Sequence, residues 1–355
     1  MEIAVVLPAL TSVLCLAFAV ALLDQFRQRR RSYQAVWALG MVFFFAASGC
    51  EAIAGASGWS EPLYRVWYLA GAVWTAGWLG LGTALLLRRT RFGFAFAGSL
   101  ILAGLFTFLA QQRYQYADAG FAATVYLSAA AVFAIAIAIA AQRRSSRWAD
   151  LATLAVVAVT LVSLLLMATT TLPPPGYALD PATDVPTGSI LPGSLRLLTP
   201  FMNVTGFFSL FLGALFSTYT LMPRHTILAY TLDPGQPAAR RLAGMAVAAV
   251  AIPVDFLASL PGAFRALLAG RLDSRVPATI LIAIGAVFPA LADSLGRFGT
   301  TGFHYIGNLL GVTFIFAGFL VSIEIINEVR VPFTRIVLRP ARRGAQAQGE
   351  PGEPH

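Results

Sequence analysis

Lysine is missing from this chain, in which all 25 basic residues are arginine. A retinal Schiff base forms on a lysine amine, so a retinal-binding rhodopsin is excluded. Charged residues of either sign make up only 12% of the chain, about half of the roughly 25% that soluble domains carry. With 58% hydrophobic residues and a mean hydropathy of +0.74, the composition predicts an integral membrane protein.

Cysteine and histidine are too few for the common metal and haem sites. The two cysteines, Cys15 and Cys50, lie in apolar segments without a CxxC motif, so they cannot form a four-ligand zinc or iron–sulfur site alone. None of the three histidines lies mid-segment opposite another, which argues against bis-histidine haem. HExxH, GxSxG and repeated Asp-rich motifs are missing too. We therefore predict no metal site and no resident cofactor, and we name no catalytic residue. The missing motifs disfavour a membrane enzyme that acts on lipid without excluding it.

Long apolar segments dominate the chain. A helix needs about 20 mostly apolar residues to cross a hydrocarbon core about 30 Å thick. Nine segments meet or approach that length, and they predict an all-α, polytopic transmembrane helix bundle. Their bounds are 3–23, 33–55, 66–87, 92–110, 120–141, 149–169, 198–222, 277–295 and 302–326.

The arginines fall almost entirely on one side of this threading. Twenty-one lie on the side of the carboxyl-terminal tail, and four lie on the other side, namely Arg65, Arg113, Arg196 and Arg297. Positive residues are retained in the cytoplasm, so we expect an inner (plasma) membrane protein with its amino terminus outside and its carboxyl terminus inside. The first apolar stretch lacks signal-peptide features and should remain a span. The placement of arginines on the cytoplasmic side of the membrane therefore explains the net charge of +9, and we expect no nucleic-acid partner.

A proline-rich connection divides the spans into two groups. We expect a six-span front half over 1–169, an extracytoplasmic loop over 170–197, a three-span back half over 198–329 and a basic, then disordered, tail over 330–355. The loop contains six prolines and two aspartates. It is either a linker between the halves or a lid over a site that faces outward.

One further apolar stretch, 242–270, interrupts the back half within the arginine-flanked segment 240–275. Pro253 and Asp255 lie inside it, and arginines at both ends should keep both ends on the cytoplasmic side. The stretch is therefore either re-entrant or an interfacial helix. Apolar residues recur at helical spacing from Phe256 to Leu268, which favours the interfacial helix.

Carboxylates inside predicted spans are the first candidates for function, because a charge in lipid is costly. Glu51 and Asp293 lie near the outer ends of spans two and eight, and His304 opens span nine from the same side. They could form one pocket or a proton-linked gate, or each could reach the headgroups or pair locally, as Asp293 and Arg297 could at i,i+4. Glu324 lies near the cytoplasmic end of span nine, where the basic tail favours a structural role.

Two spans carry stripes of polar and small residues. Asn203 lies on such a stripe of span seven, and His304 and Asn308 lie on one of span nine. Interhelical hydrogen bonds through such side chains are worth about 0.6–2 kcal/mol. Both helices should therefore pack inside the bundle, either on each other or around a cavity.

The stretch 67–83, "WYLAGAVWTAGWLGLGT", combines three tryptophans with four glycines and three alanines. Ala72, Ala76, Gly80 and Ala84 follow one face and predict a seam for close helix packing. Trp67 lies at the boundary and suits an aromatic belt. Trp74 and Trp78 lie deeper, so each indole N–H needs lipid, a neighbouring helix or a bound ring as its partner.

These features leave two functions open. The first is binding or transport of a small lipidic or amphipathic molecule, with bound lipid, quinone or pigment as candidates. The second is a non-catalytic subunit or receptor-like component of a larger respiratory or photosynthetic membrane assembly, with other membrane proteins as partners.

Overall fold

The computed structural model of the protein describes residues 3–181, 184–223, 225–229, 235–269, 275–296 and 301–321, together with 329–330 and 337–338. The chain is a bundle of α-helices, so the predicted all-α class is confirmed. The helices are α1 (Ile3–Arg29), α2 (Ser32–Ser57), α3 (Glu61–Trp67), α4 (Thr75–Leu86), α5 (Gly93–Tyr114), α6 (Ala122–Gln142), α7 (Arg147–Thr169), α8 (Gly193–Arg196), α9 (Leu198–Leu221), α10 (Ala238–Leu268), α11 (Arg275–Gly296) and α12 (Thr301–Val321).

Shorter elements complete the chain. A π-helix, Tyr68–Trp74, joins α3 to α4, so the three run as one rod from Glu61 to Leu86. A 3-10 turn covers Ala117–Ala119, and β1 (Val329–Arg330) pairs antiparallel with β2 (Val337–Leu338).

Eight helices of the described chain are long and apolar enough to cross a membrane, as expected of a multi-pass membrane protein. They coincide with eight of the nine predicted spans. The remaining predicted span, 277–295, falls in α11, whose described apolar part is Val276–Leu291. Those 16 residues rise about 24 Å, somewhat less than a hydrocarbon core of about 30 Å.

Residues 242–268 of this stretch lie in the single continuous helix α10, which does not turn back on itself as a re-entrant hairpin would. On its buried side, Asp255 Oδ1 accepts a hydrogen bond of 2.7 Å from the backbone N–H of Ile227. On its other side, Val250, Leu257 and Phe264 are exposed. This apolar face is typical of an interfacial helix, and its position at the membrane surface stays a prediction.

The α4 and α9 helices cross at two glycines, and α9 also packs against α5 and α11. A Cβ on Gly80 would lie 2.7 Å from the Cα of Gly206, and a Cβ on Gly206 would overlap the carbonyl of Ala76. Only glycine lets two backbones approach this closely. Of the packing seam predicted over Ala72, Ala76, Gly80 and Ala84, the part at Ala76 and Gly80 is thus confirmed, whereas Ala72 borders the cavity.

The π-helix changes the direction in which the rod presents its side chains. Thr75 Oγ1 donates a hydrogen bond of 2.7 Å to the carbonyl oxygen of Ala70, five residues earlier. Such wide turns in helices often occur at functional sites. Gly71, Ala72 and Thr75, in and just after this wide turn, border the main cavity of the bundle.

Candidate functional site

A cavity of about 540 Å³ lies where α2, the Glu61–Leu86 rod, α9, α11 and α12 meet the loop 170–197. Its polar lining residues are Ser48, Glu51, Thr75, Asp180, Thr187, Thr199, Asn203, His304 and Asn308. Its other lining residues are Phe44, Ala47, Trp67, Gly71, Ala72, Ala76, Leu79, Val185, Pro186, Gly206, Phe207, Leu210, Ala286, Pro289, Ala290 and Ile315. Ligand sites of proteins commonly have about 300–1,000 Å³ and a similar mixture of many apolar and few polar groups.

Glu51 is the most buried charged group in this lining, with 6% of its surface exposed. Its Oε1 accepts a hydrogen bond of 3.0 Å from the indole N–H of Trp67 and lies 3.1 Å from Nε2 of His304. The three residues come from α2, α3 and α12, so tertiary packing assembles this cluster. A buried carboxylate requires such partners, because burial without them would be costly.

The tautomer of the His304 ring determines which hydrogen bonds form. His304 Nε2 also lies 3.3 Å from Nδ2 of Asn308. When Nε2 carries a hydrogen, it donates to the Glu51 carboxylate, and when Nδ1 alone carries the hydrogen, Nε2 accepts from the Asn308 amide. The cluster therefore has two hydrogen-bonding arrangements that differ in which ring nitrogen carries the hydrogen.

The cavity is polar at one end and apolar at the other. Thr199 and His304 lie near the first turns of α9 and α12, at the end of the bundle that carries the loop. Leu210 and Ile315 each lie 11 residues further along the same helices, which corresponds to about 16 Å of helix. We call these the polar end and the apolar end of the cavity.

A smaller void of about 30 Å³ lies beyond the apolar end. Leu79, Leu210 and Ile315 line both spaces and therefore stand between them. The remaining lining of this void is apolar as well and comprises Phe18, Leu22, Trp37, Met41, Ile282 and Phe319. The path from the polar end into the bundle thus becomes steadily more apolar.

The loop 170–197 folds over the polar end. The backbone N–H of Asp180 donates to the carbonyl of Val185 at 2.9 Å, and that of Thr187 donates to Ala178 at 2.9 Å. This hairpin-like turn contributes Asp180, Val185, Pro186 and Thr187 to the cavity wall. The loop therefore has the position expected of a lid, the second of the two roles considered from the sequence.

The rod holds the loop through buried and half-buried side chains. Tyr64 donates its hydroxyl proton to the carbonyl of Thr187 in the loop. Tyr68 lies beside Gly188 of the loop and shares a hydrogen bond of 2.8 Å with Thr199 Oγ1 of α9. Arg65 donates to the carbonyls of Met167 and of Thr170, the latter at 2.7 Å, and is oriented by Glu61 at 2.7 Å. Arg65 thus holds the start of the loop against the rod by hydrogen bonds and does not line the cavity.

Four of the candidate residues from the sequence meet in the cavity, namely Glu51, Asn203, His304 and Asn308. Asp293 falls in the last turn of α11, and its side chain lies outside the described part of the structure. Glu324 lies outside the described residues, as does Arg297.

The two deep tryptophans have a different environment from the cavity residues. Trp74 donates to Ser163 Oγ at 2.8 Å and Trp78 donates to Thr160 Oγ1 at 3.1 Å, both on α7. The ring of Phe43 packs against both indoles, at centroid distances of 5.0 and 5.9 Å. Of the three partners considered for them, the neighbouring helix is the one observed, and neither indole lines the cavity.

Trp67 is a site residue that sequence reasoning missed. Its assignment to an aromatic belt is wrong, because only 8% of its surface is exposed and its N–H binds Glu51. The spacing in the sequence could have indicated this contact. Trp59 lies in the short connection between two antiparallel helices, and Glu51 and Trp67 lie eight residues before and eight residues after it. Equal spacing from such a turn places two residues at the same depth.

Comparison with known proteins gives no match, whether to a protein family, to a curated protein or to a solved structure.

Proposed function

We propose that this chain is a membrane carrier that binds a small amphipathic molecule in the cavity. The polar part of the molecule lies at Glu51 and His304, and its apolar part extends toward Leu210 and Ile315. The observation that carries the proposal is the cavity of about 540 Å³, which joins a buried carboxylate–imidazole pair to an apolar end. A purely polar solute would leave the apolar end unmatched, and a pure hydrocarbon would leave the polar end unmatched.

The direction of access follows from the arginine distribution. The polar end lies under the loop 170–197, on the opposite side from the 21 arginines of the predicted cytoplasmic face. The positive-inside rule supports an orientation in which the loop covers an outward-facing site in a bacterial-type inner membrane. The ligand then enters beneath the loop.

Passage through the bundle requires a change at the apolar end. Leu79, Leu210 and Ile315 separate the cavity from the void of about 30 Å³. That void is too small for a ligand, since ligand sites commonly hold about 300 Å³ or more. The three side chains form the barrier that has to open for release on the other side.

Small molecules that copurify with the protein test the proposal. The full chain is purified from membranes in a mild detergent, and its bound molecules are extracted and identified by mass spectrometry. Ala72→Phe places a large ring in the cavity wall, whereas Ala129→Phe makes the same change at an exposed position of α6 outside it. We expect one amphipathic species to be enriched in the wild type and in Ala129→Phe and to be lost from Ala72→Phe.

Equal recovery of that species from both variants, with both folded by gel filtration, would show that it binds elsewhere. The proposed carrier function would then lose its main support.

A further inference from the structure

The charges in the cavity wall are mainly of one sign. Among the described lining residues, Glu51 and Asp180 are carboxylates, and the imidazole of His304 is the one basic group. The chain has 25 arginines, yet none of them belongs to the described lining. We infer that the ligand is a lipophilic cation, an amphipathic molecule whose polar end is a protonated or quaternary amine. This inference rests on the proposed function and specifies its substrate class.

Glu51 is the group that recognises the positive charge. It is nearly fully buried, and its hydrogen-bond partner on α3, the indole of Trp67, is neutral. A carboxylate in such surroundings gains more from a positive partner than from a neutral donor. When His304 is neutral, a ligand cation supplies the positive charge that the imidazolium would otherwise provide.

Aromatic rings in the cavity wall suit the same ligand. Phe44, Trp67 and Phe207 all line the cavity. Cations are attracted to ring faces within about 6 Å, and the attraction is stronger where water is excluded. The rings also contact the apolar body of an amphipathic amine, so one wall serves both parts of the molecule.

Among the described lining residues, the imidazole of His304 is the one basic group that an anionic head group would meet, and that ring already faces Glu51. Arg65, two residues before Trp67 on α3, already binds Glu61 and the carbonyl oxygens of Met167 and Thr170. A phosphate or carboxylate in the cavity would face Glu51 and Asp180 instead. The wall therefore selects against anionic lipids by repulsion as well as for cations by attraction.

A metal ion fits this site less well than an organic cation. Over the described parts of the chain, no three His, Cys, Asp or Glu side chains come close enough to hold a metal ion. Metal ions in proteins require several such ligands, whereas an organic ammonium needs only a carboxylate and apolar contacts. The large apolar volume would also be unused by a metal ion.

Two ions of nearly equal size and shape but opposite charge test the inference. The purified full-length protein in a neutral detergent is dialysed to equilibrium against tetraphenylphosphonium or tetraphenylborate, with protein-free micelles as the blank. We expect the wild type to retain the phosphonium above the blank and to retain no tetraphenylborate above it.

Substitutions then connect the selectivity to Glu51. We expect Glu51→Gln to weaken phosphonium binding roughly 10- to 100-fold, the loss typical of a buried charged partner. Glu51→Asp keeps the charge and should lose less. Asp118→Asn removes an exposed carboxylate outside the cavity lining and should leave binding unchanged. If Glu51→Gln does not fold, Asp180→Asn on the loop provides a second neutralisation, with a several-fold loss expected.

The outcomes separate this inference from the proposed function. Binding of both ions, blocked in each case by Ala72→Phe, would overturn charge selectivity and leave the cavity as a ligand site. Phosphonium binding that neither Glu51→Gln nor Ala72→Phe affects would contradict both. A wild type that binds no phosphonium would overturn the cation inference, while the copurified molecule would still test the cavity.

Discussion

The rod from Glu61 to Leu86 has two sides that differ in chemistry. On one side, the indole of Trp67 binds a carboxylate that is also in contact with an imidazole, at the edge of a cavity of about 540 Å³. On the other side, the indoles of Trp74 and Trp78 bind hydroxyl groups of α7. The indole N–H thus binds an ionisable group beside the cavity once, at Trp67, and binds neutral hydroxyl groups in the packed interface with α7 twice, at Trp74 and Trp78.

The difference shows how a cavity is maintained in a membrane bundle. Neutral indole–hydroxyl pairs and the ring of Phe43 fill the side that faces α7, so that side is already satisfied by protein. On the cavity side, Gly71, Ala72 and Ala76 leave space, and polar groups border it. We therefore expect substitutions on the α7 side to change stability alone and substitutions on the cavity side to change stability and binding together.

The largest effect should come from the crossing of α4 and α9. Gly206→Ala would place a methyl group against the carbonyl of Ala76, where backbone rather than a flexible side chain is in contact. Overpacking of this kind costs about 2–3 kcal/mol in the free energy of unfolding. An SDS titration followed by circular dichroism measures the loss.

Gly98→Ala on α5 is the matched control, because nothing lies within 4 Å of a Cβ at that position. It should be neutral or slightly stabilising, since alanine favours helix. Equal stability of the two variants would mean that α4 and α9 do not approach each other as closely as described.

Trp67→Phe should have the next largest effect. The change keeps an aromatic ring but removes a donor from the Glu51 carboxylate, and hydrogen bonds to charged groups contribute about 1.5–3 kcal/mol. Because Glu51 then loses one of its two described partners and keeps His304, we expect tetraphenylphosphonium to raise the thermal unfolding temperature of this variant more than that of the wild type. A loss of stability without any change in the response to the ion would separate Trp67 from the binding site.

Trp78→Phe makes the same change on the α7 side and should cost less. It removes one neutral hydrogen bond to Thr160, which corresponds to about 1 kcal/mol. The response to tetraphenylphosphonium should remain that of the wild type, because the indole does not line the cavity. A ligand-dependent response altered as much as in Trp67→Phe would remove the distinction between the two sides.

Most of the fold could be predicted from hydropathy and small-residue spacing. Lipid requires each span to satisfy its backbone internally, so the length of an apolar run almost determines the helix, as for α2 and α7. The seam through Ala76 and Gly80 was also predictable, because its residues recur at helical spacing. The π-helix at Tyr68–Trp74 was not, since no local pattern distinguishes it from the α-helix around it.

The site could be predicted only in part. Glu51 and His304 stood out because ionisable residues are rare in apolar segments, but their contact spans 253 residues and depends on how α2 and α12 pack. Asp180 lies in the loop, where a carboxylate is unremarkable in sequence. Trp74 and Trp78 were predicted as candidate ligand contacts from their depth in the membrane alone. Depth does not show which helix lies beside a residue, and here that helix is α7.

The smallest effect, and the most specific to the closed side, is the coupling between Trp74 and Ser163. A double-mutant cycle compares Trp74→Phe, Ser163→Ala and the double variant. In the cycle, the free-energy cost of removing each side chain alone cancels, including the loss of the hydrogen bond from Ser163 Oγ to the carbonyl of Thr160. We expect an interaction energy of about 0.5–1 kcal/mol, as for neutral pairs between membrane helices. A coupling near zero in SDS titration would mean that the indole finds an equally good partner without Ser163. The α7 side would then be stabilised by the packing of Phe43 on the two indole rings rather than by hydrogen bonds. The contrast with Trp67 would become stronger, because its hydrogen bond to Glu51 would be the indole hydrogen bond that contributes to stability.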